Sequence, residues 1–364
     1  MDDSGASVAA SARNARGLRF AGLAAVKFHE GTHQLSWEPA ASGAPASLVT
    51  YDVFESPRPG AEHYDFRHPI LSVVGRTSAE VHNLDASRRH YFIVRARDAH
   101  GHADANCIEQ SDRVVRLSGQ PNFRDLGGYV NADGVQVRWG MVYRSGDLSS
   151  LTEDDLAKVN ALGLARVLDL RKEWEVSSQP DTLYRGNEAK YDFLPFLDAP
   201  HADGIKDWLA VDPRVFGGHG AYVNLVRRNT AFIRCAFERF ADAAHYPVLE
   251  HCTAGKDRAG TLAALLLMLL KVPTATIIQD YVLTGEITDV EALIVRWENL
   301  LKTSTRVPPG VTLEHWMPVL GCPVETIEQL IDWIEREFGG IGGFLTSIGI
   351  APEQQAAVRR ILLT

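Results

Sequence analysis

The spacing of hydrophobic positions changes near residue 117. Before it, short apolar runs are separated by clusters of Gly, Pro, Ser and Asp, as in "VTYDVFES" and "HYFIVRARDAHG". In the second run, even positions such as Phe92 fall on one face and odd positions such as Ile93 on the other, which is the pattern of a half-buried strand. Residues 17–117 are therefore predicted to form the short strands of a small all-β sandwich.

After residue 117, short apolar runs alternate with long segments of helical periodicity. The runs are "RVLDL" (166–170), "YDFLPF" (191–196) and "PVLEH" (247–251), and a long periodic segment covers residues 221–244. This alternation predicts an α/β domain over residues 118–364, with a parallel sheet flanked by helices. Ligands of such sheets bind at the carboxyl ends of the strands.

The N-terminus and the most apolar run bear on location. Residues 1–16 contain no apolar stretch of signal-peptide length, so they are interpreted as a disordered leader of a cytoplasmic protein. The run "LAALLLMLLKV" from Leu262 is shorter than the roughly 20 residues that span a bilayer. We expect a buried helix there and no transmembrane segment.

Charge and cysteine usage narrow the classes of ligand. The formal net charge of -9 argues against a broad basic face for nucleic acid or an anionic membrane, so any anion site must be local. The 4 cysteines are widely spaced and form no C-x-x-C pair or Cys/His cluster of the zinc-finger kind. Neither a metal nor a cofactor is expected.

The candidate chemistry lies in "EHCTAGKDRAGT" (250–261). Cys252 follows a predicted strand and Arg258 opens a predicted helix, so the loop between them can turn successive N–H groups inward around a phosphate. There we expect Cys252 to be a thiolate nucleophile and Arg258 to hold two phosphate oxygens. A Walker nucleotide loop is excluded, because an Asp follows the lysine where Ser or Thr is required. The predicted phosphate-binding residues are Thr253, Ala254, Gly255, Lys256, Asp257 and Arg258.

The stretch "HCTAGKDRAG" resembles the phosphate-binding loop of the atypical bacterial cysteine-dependent tyrosine phosphatases, which reads H-C-x-A-G-K-D-R. "GQPNFRDLGGY", "VYRSGDLSSLTEDD", "VLDLRKEWE", "LPFLD" and "FGGIGGFLTSIGI" resemble that family in the same order, from Gly119 onward. The resemblance implies a cysteine phosphatase fold and a phosphotyrosine substrate, with phosphoserine, phosphothreonine and phosphoinositides accepted by several members. Ala259 departs from the family, which usually has Thr or Ser there to support the leaving thiolate.

Two acidic residues are candidates for the proton donor to the leaving group. Asp257 lies inside the loop, and Asp198 ends "LPFLD" after a predicted strand, where the carboxyl edge of the sheet should bring it towards the pocket. The resemblance favours Asp257 as donor, with Asp198 assisting or orienting water. Structural roles, as a loop brace and a turn residue, stay open for both.

Two residues of the loop have weaker signals. His251 is predicted at the end of a buried strand, where it would orient the loop by hydrogen bonds. Lys256 would add a second cation for a polyanionic head group, and the alternative is a solvated surface lysine.

Two charged pairs lie outside the loop. Asp125 and Arg124 could pin the sheet edge to the loop, although a buried structural ion pair is favoured. Arg171 and Glu175, four residues apart, are interpreted as a structural pair on one helix face.

The N-terminal region resembles a fibronectin type III module. The residues that carry this resemblance are Trp37, Leu84 six residues before a predicted strand, and Gly101 after that strand. The corner tyrosine of the module falls at His90, with Tyr91 one position late. A protein partner could dock on this module.

Three functions remain open at this point. The first is a metal-independent phosphomonoesterase that works through a cysteinyl phosphate and acts on a phosphorylated protein or a phosphoinositide. The second is a phosphate-binding adaptor with little turnover, which Ala259 would allow. Sulfur transfer through a cysteine persulfide is the third, but it gives no reason for Arg258 or Lys256.

Overall fold

The chain forms two compact units in a computed structural model. The model describes residues 23–29, 31–41, 46–85, 88–98, 100–104, 108–184, 189–197, 212–213, 220–288 and 290–363. The units are Met1–Asp112 and Arg113–Thr364. The second unit starts upstream of residue 118, because Val115 and Leu117 pack into one of its cores. The predicted leader lies outside the described residues, and none of the described helices is long and apolar enough to cross a membrane.

The first unit contains two antiparallel sheets, with the orders β1-β2-β5 and β4-β3-β6-β7. One hydrophobic core takes side chains from both, including Trp37 from β2, Tyr51 from β3 and Phe92 from β6. The strands are β1 (Leu23–His29), β2 (Thr32–Trp37), β3 (Thr50–Ser56), β4 (Leu71–Val74), β5 (Ser78–His82), β6 (Tyr91–Arg97) and β7 (Glu109–Ser111).

Strand β6 is buried on both faces over residues 91–94, where one exposed face was predicted, whereas Arg95 and Arg97 on the predicted polar face are partly exposed. Phe92 belongs to the core, yet Ile93 on the opposite face is also inaccessible to solvent. The segment between β3 and β4 covers that second face. Phe66 packs against Phe54, the register partner of Ile93, with ring centroids 5.2 Å apart, and the Arg95 guanidinium lies 3.4 Å from the Phe66 centroid.

His90 fixes the chain just before β6. Its Nε2 lies 2.8 Å from the carbonyl oxygen of Asp85, and its Nδ1 lies 2.6 Å from Glu55 Oε1. A bond to the backbone a few residues upstream is the bond that the corner tyrosine makes in immunoglobulin-like sandwiches. In this unit an imidazole makes it.

The second unit is mixed α/β and is built on a five-stranded sheet of order β11-β10-β12-β9-β8. Strand β10 pairs in parallel with β11 and β12, and β12 pairs in parallel with β9, as the alternation predicted. Strand β8 pairs antiparallel with β9 at one edge of the sheet. The strands are β8 (Arg124–Asp125), β9 (Val142–Ser145), β10 (Arg166–Asp169), β11 (Lys190–Phe193) and β12 (Val248–His251).

Side chains alternate across this sheet and enter two cores. Leu168 on β10 and Val248 on β12 face a large core with α5, whereas their neighbours Val167 and Leu249 face a smaller core with α1. The helices are α1 (Glu153–Ala161), α2 (Glu173–Ser178), α3 (Ala221–Arg228), α4 (Thr230–Phe240), α5 (Arg258–Leu269), α6 (Thr274–Ile287), α7 (Val290–Thr303), α8 (Leu313–Leu320), α9 (Val324–Phe338), α10 (Ile341–Ser347) and α11 (Pro352–Leu362).

Two features of this unit differ from the sequence pattern. The periodic segment 221–244 is interrupted between α3 and α4 at Asn229, whose buried side chain accepts from Leu197 N and donates to Leu197 O and Leu225 O, each at 2.7 Å. The Asn229 side chain, and not its backbone N–H, donates to Leu225 O, so the regular helical bonding stops there and the segment forms two helices. Strand β9 has no strongly apolar run, because it places Arg144 and Ser145 in the sheet interior.

Candidate functional site

The loop between β12 and α5 joins the carboxyl edge of the sheet to a helix N-terminus. Cys252 follows β12 and is 1% exposed, and its N–H donates to Ser145 O of β9 at 3.4 Å. Gly255 has φ +68°, and a Cβ there would lie 2.6 Å from Gly146 N. Only glycine fits both that dihedral and that approach. Among the described residues, no acceptor pairs with the N–H groups of residues 253–257.

The Arg258 guanidinium is clamped by Glu175. Its Nη1 and Nη2 donate to the two carboxylate oxygens at 2.6 and 2.8 Å, and Nη2 also lies 3.2 Å from Thr253 Oγ1. Burial alone would raise the pKa of Glu175, but the bonds from Arg258 and Thr253 lower it to about 2. The plane of the guanidinium is therefore fixed beside the loop before any ligand arrives.

Glu175 does not pair with Arg171, so the predicted helix-face pair was wrong. Arg171 turns the other way and contacts Asp169 at 2.8 Å and Asp181 at 2.9 Å. Residue 171 precedes α2, where the spacing of four no longer brings side chains onto one helical face.

His251 lies behind the loop in this acidic cluster. Its Nε2 is 3.3 Å from Asp181 and 3.7 Å from Asp169, and the ring is fully buried. In the described part of the chain these three residues are the one group with metal-ligand spacing. Arg171 already bonds both carboxylates, however, so a cation is present without a metal.

The Lys256 side chain points away from solvent and towards the end of α8. Its Nζ donates to Val319 O at 2.6 Å and Gly321 O at 2.8 Å, and lies 3.3 Å from Asp257 Oδ1. At 5% exposure it is not a solvated surface lysine. Its ammonium group serves as a C-terminal cap of α8, where helix carbonyls lack intrahelical donors.

The two candidate proton donors differ in what can be described. Asp257 is about half exposed at 46%, and its Oδ1 accepts from Tyr222 Oη at 2.7 Å. Tyr222 is buried and also contacts Tyr281 Oη at 2.9 Å. Burial and the nearby Asp257 charge raise the pKa of Tyr222 well above its usual value, so Tyr222 stays a hydrogen-bond donor. Asp198 lies outside the described residues.

Asp125 lies away from the loop. Its carboxylate accepts from Gly127 N and Gly140 N, both at 2.8 Å, and thereby holds a turn. The favoured ion pair with Arg124 is not found, since Arg124 pairs instead with Asp280 of α6 at 3.3 Å. The sheet edge does reach the loop, but through Asn122, whose Nδ2 donates to Ala254 O at 2.9 Å.

Sequence comparison agrees with this geometry. A model of the tyrosine phosphatase family matches residues 115–364, which contain the loop, Glu175 and the whole five-stranded sheet. The chain belongs to the tyrosine phosphatase family. The prediction of a protein-tyrosine phosphatase, a hydrolase, is thereby confirmed.

Two curated members of the family are similar over long stretches. A tyrosine-protein phosphatase of Nostoc commune is 29% identical over 223 residues, which cover 59% of this chain and 72% of the relative. The triple specificity protein phosphatase PtpB of Mycobacterium tuberculosis is 27% identical over 281 residues, covering 69% of this chain and 99% of the relative.

Similarity to solved structures is low by comparison. The core catalytic domain of the PP-IP phosphatase SIW14 from S. cerevisiae is 14% identical with a TM-score of 0.27, covering 49% of this chain and 90% of that one. TpbA of P. aeruginosa is 16% identical with a TM-score of 0.22, covering 54% of this chain and 90% of that one. Scores this low support no conclusion about shared geometry.

The sequence pattern missed several residues that contact the loop. Glu175 was assigned to the wrong partner, and Asn122 and Arg144 were not singled out. All three lie in segments that resemble the family, "GQPNFRDLGGY", "VYRSGDLSSLTEDD" and "VLDLRKEWE". Only Arg144, a charged residue within a buried strand, gave a local signal, because Asn122 precedes β8 and Glu175 lies on α2.

Proposed function

We propose that the protein is a phosphomonoesterase that acts through a cysteinyl phosphate on Cys252. The observation that carries this proposal is the bidentate clamp of Glu175 on Arg258, at 2.6 and 2.8 Å, beside a loop whose N–H groups have no acceptor among the described residues. A fixed cation and a row of unpaired donors at a helix N-terminus suit a phosphate dianion. A buried thiol at the start of that row is placed to attack it.

The reaction then follows in two steps. The Cys252 thiolate attacks phosphorus, an S–P bond forms, and the bond from phosphorus to the ester oxygen breaks. Asp257 donates a proton to that oxygen, with Asp198 assisting or orienting water. Water next attacks phosphorus, gives a proton to the Asp257 carboxylate and breaks the S–P bond, which releases inorganic phosphate and the thiolate and restores the acid. Arg258 and the loop N–H groups stabilise the charge on the phosphoryl oxygens in both steps.

The substrate class that we propose is phosphotyrosine in proteins and peptides. Phosphoserine, phosphothreonine and phosphoinositides come second, in line with the name of the triple specificity relative. Arg258 supplies the cationic charge that phosphoryl transfer requires, so the proposed reaction needs neither a metal nor a cofactor. We propose that His251 positions Cys252, the next residue along the chain, from a buried site whose ring lies 3.3 Å from Asp181.

We propose further that the first unit is a fibronectin type III-like module that docks a protein partner, and that the second has the cysteine phosphatase fold. Seven strands in two sheets around one core support the former, together with the histidine that occupies the corner position. The proposed location is the cytoplasm.

The second candidate function is a phosphate-binding adaptor with little turnover. Ala259 is fully buried in the same core as Cys252, and its methyl group offers no hydroxyl to a leaving thiolate. A phosphate ester would then bind and transfer its phosphoryl group to sulfur as the ester oxygen leaves, but the cysteinyl phosphate would be hydrolysed slowly.

Hydrolysis of p-nitrophenyl phosphate by the purified chain, in the presence of EDTA and between about pH 5 and 7, tests the proposal. We expect turnover, inhibition by vanadate, and no effect of the chelator. A stoichiometric burst without further turnover would favour the adaptor, and loss of activity in EDTA would indicate a metallophosphatase. Comparison of kcat/KM across phosphopeptides and phosphoinositides then ranks the substrates.

A further inference from the structure

Three consecutive carbonyl groups of the loop are held by donors outside it. Thr253 O accepts from the backbone N–H of Asp147 at 2.9 Å. Ala254 O accepts from Asn122 Nδ2 at 2.9 Å, and Gly255 O accepts from Arg144 Nη2 at 2.7 Å. The last two donors are side chains of fully buried residues at the sheet edge and on β9.

Because peptide groups are planar, these bonds also determine the direction of the N–H groups on the opposite side of the loop. In a trans peptide, the carbonyl of one residue and the N–H of the next point in opposite directions. Holding the carbonyls of residues 253, 254 and 255 outward therefore directs the N–H groups of residues 254, 255 and 256 inward. None of these N–H groups has an acceptor among the described residues.

The two side-chain donors are fixed by one carboxylate. Asp280 on α6 accepts from Arg144 Nη1 at 2.6 Å and from Arg124 Nε at 3.3 Å, and Arg124 in turn donates to Asn122 Oδ1. Gly260 makes room for this arrangement, since a Cβ there would lie 2.9 Å from Arg144 Nη2. Every member of the network is at most 2% exposed.

The network also places positive charge behind the loop. Burial would raise the pKa of Asp280, but the two guanidinium groups lower it far below its usual value, so Asp280 carries one negative charge. Burial and Arg144 lower the pKa of Arg124 to about 10, which leaves it protonated at neutral pH. Burial raises the pKa of Glu250, beside Arg144 on β12, well above its usual value, which disfavours the charged form of that carboxyl. Two guanidinium groups that share the carboxylate of Asp280 favour a bound oxyanion.

We propose that Asn122 and Arg144 are positioning residues, which aim the N–H groups of Gly255 and Lys256 at the phosphate by holding the preceding carbonyls. Asp280 holds both donors in place. This inference rests on the proposed function only in that an oxyanion binds in the loop, and it does not require turnover.

Tungstate binding to the full chain tests the inference, measured by calorimetry in a Cys252→Ser background, where no chemistry occurs. We expect Asn122→Ala to weaken tungstate binding about tenfold and to lower kcat more than it raises KM in the otherwise unchanged enzyme, because misaimed donors lose most in the transition state. Arg144→Lys should act similarly. It keeps a charge beside Asp280 but lacks the planar fork that also reaches Gly255 O.

Asn131→Ala is the matched control. Asn131 is also buried, and its Nδ2 donates to Leu270 O at 3.1 Å, away from the loop. Both asparagine variants should lower Tm to a similar degree, but Asn131→Ala should bind tungstate as the Cys252→Ser parent does. Parental affinity in both Asn122→Ala and Arg144→Lys would overturn the inference, even if the enzyme is active. Weakened binding in a chain that never turns over would support it and overturn the phosphatase mechanism alone.

Discussion

The two units use buried polar groups for different purposes. In the first unit they pair with each other and hold turns: His90 with Asp85 O and Glu55, and Tyr64 Oη with Glu109 at 2.6 Å. In the second unit, the buried side chains of Asn122 and Arg144 bond backbone carbonyls on the outer side of the loop at residues 252–257. The N–H groups on its inner side have no acceptor among the described residues.

This difference separates stability from function. Most backbone N–H groups of a folded protein have an acceptor, so several neighbouring ones without an acceptor in the protein are expected where a ligand supplies it. The comparison teaches that substitutions beside the loop should affect chemistry more than folding, whereas substitutions in the His90 and Tyr64 pairs should affect folding more than chemistry.

Cys252→Ser should have the largest effect. We expect kcat for p-nitrophenyl phosphate to fall at least about 10⁴-fold, because serine does not ionise near neutral pH, while affinity for inorganic phosphate persists. Cys235→Ser is the control, since Cys235 is a partly buried free cysteine on α4. Equal losses in both variants, seen in steady-state kinetics, would remove Cys252 from the mechanism.

Substitutions in the clamp of Glu175 on Arg258 should have the second largest effect on activity. Arg258→Lys replaces a bidentate fork by a point charge, and we expect kcat/KM to fall about 10²- to 10³-fold. Glu175→Gln keeps the shape of the side chain but removes its charge, so a smaller loss is expected, mainly in kcat. If Arg258→Lys retained full activity, the guanidinium would have no part in binding the phosphoryl group.

Substrates whose leaving groups differ in basicity distinguish which of Asp257 and Asp198 is the general acid. Asp257→Asn should slow hydrolysis of a phosphoserine peptide about 10²-fold and change p-nitrophenyl phosphate little, because nitrophenolate leaves without a proton. The same series with Asp198→Asn is the comparison. Should Asp198→Asn show the leaving-group dependence instead, the two residues exchange roles.

The free energy of unfolding should depend on pH differently in wild type and in Glu175→Gln. The pKa of Glu175 falls from 4.5 to about 2 on folding, so its contribution is fully present above pH 4.5 and is lost as pH falls towards 2. A shift of that size corresponds to about 3 kcal/mol. Denaturant unfolding of the second unit should therefore lose less stability in Glu175→Gln across that interval. Identical slopes would show that the carboxylate is not ion-paired in solution.

The smallest expected effect on chemistry lies in the first unit. His90→Phe removes the bonds to Asp85 O and Glu55, and should cost about 1–3 kcal/mol of the stability of that unit. His90→Tyr should recover part of the loss, because a phenol hydroxyl can reach the backbone as in a tyrosine corner. We expect kcat/KM of both variants to match wild type below the unfolding transition. A fall in kcat/KM would show that buried polar groups of the first unit also affect the chemistry.

The sequence determined the elements that depend on local pattern. Apolar period located β3, β6, β10, β11 and β12, and the spacing of Cys252, Gly255 and Arg258 indicated a loop between a strand and a helix, because these features need only neighbours along the chain. Tertiary structure alone decided which charges meet. Glu175 reaches Arg258 across 83 residues, and Arg144 reaches Gly255 across 111, so no local spacing encodes either contact. The same holds for Arg144 in β9 and for the break at Asn229, where buried polar side chains are tolerated because groups distant in the sequence bond them.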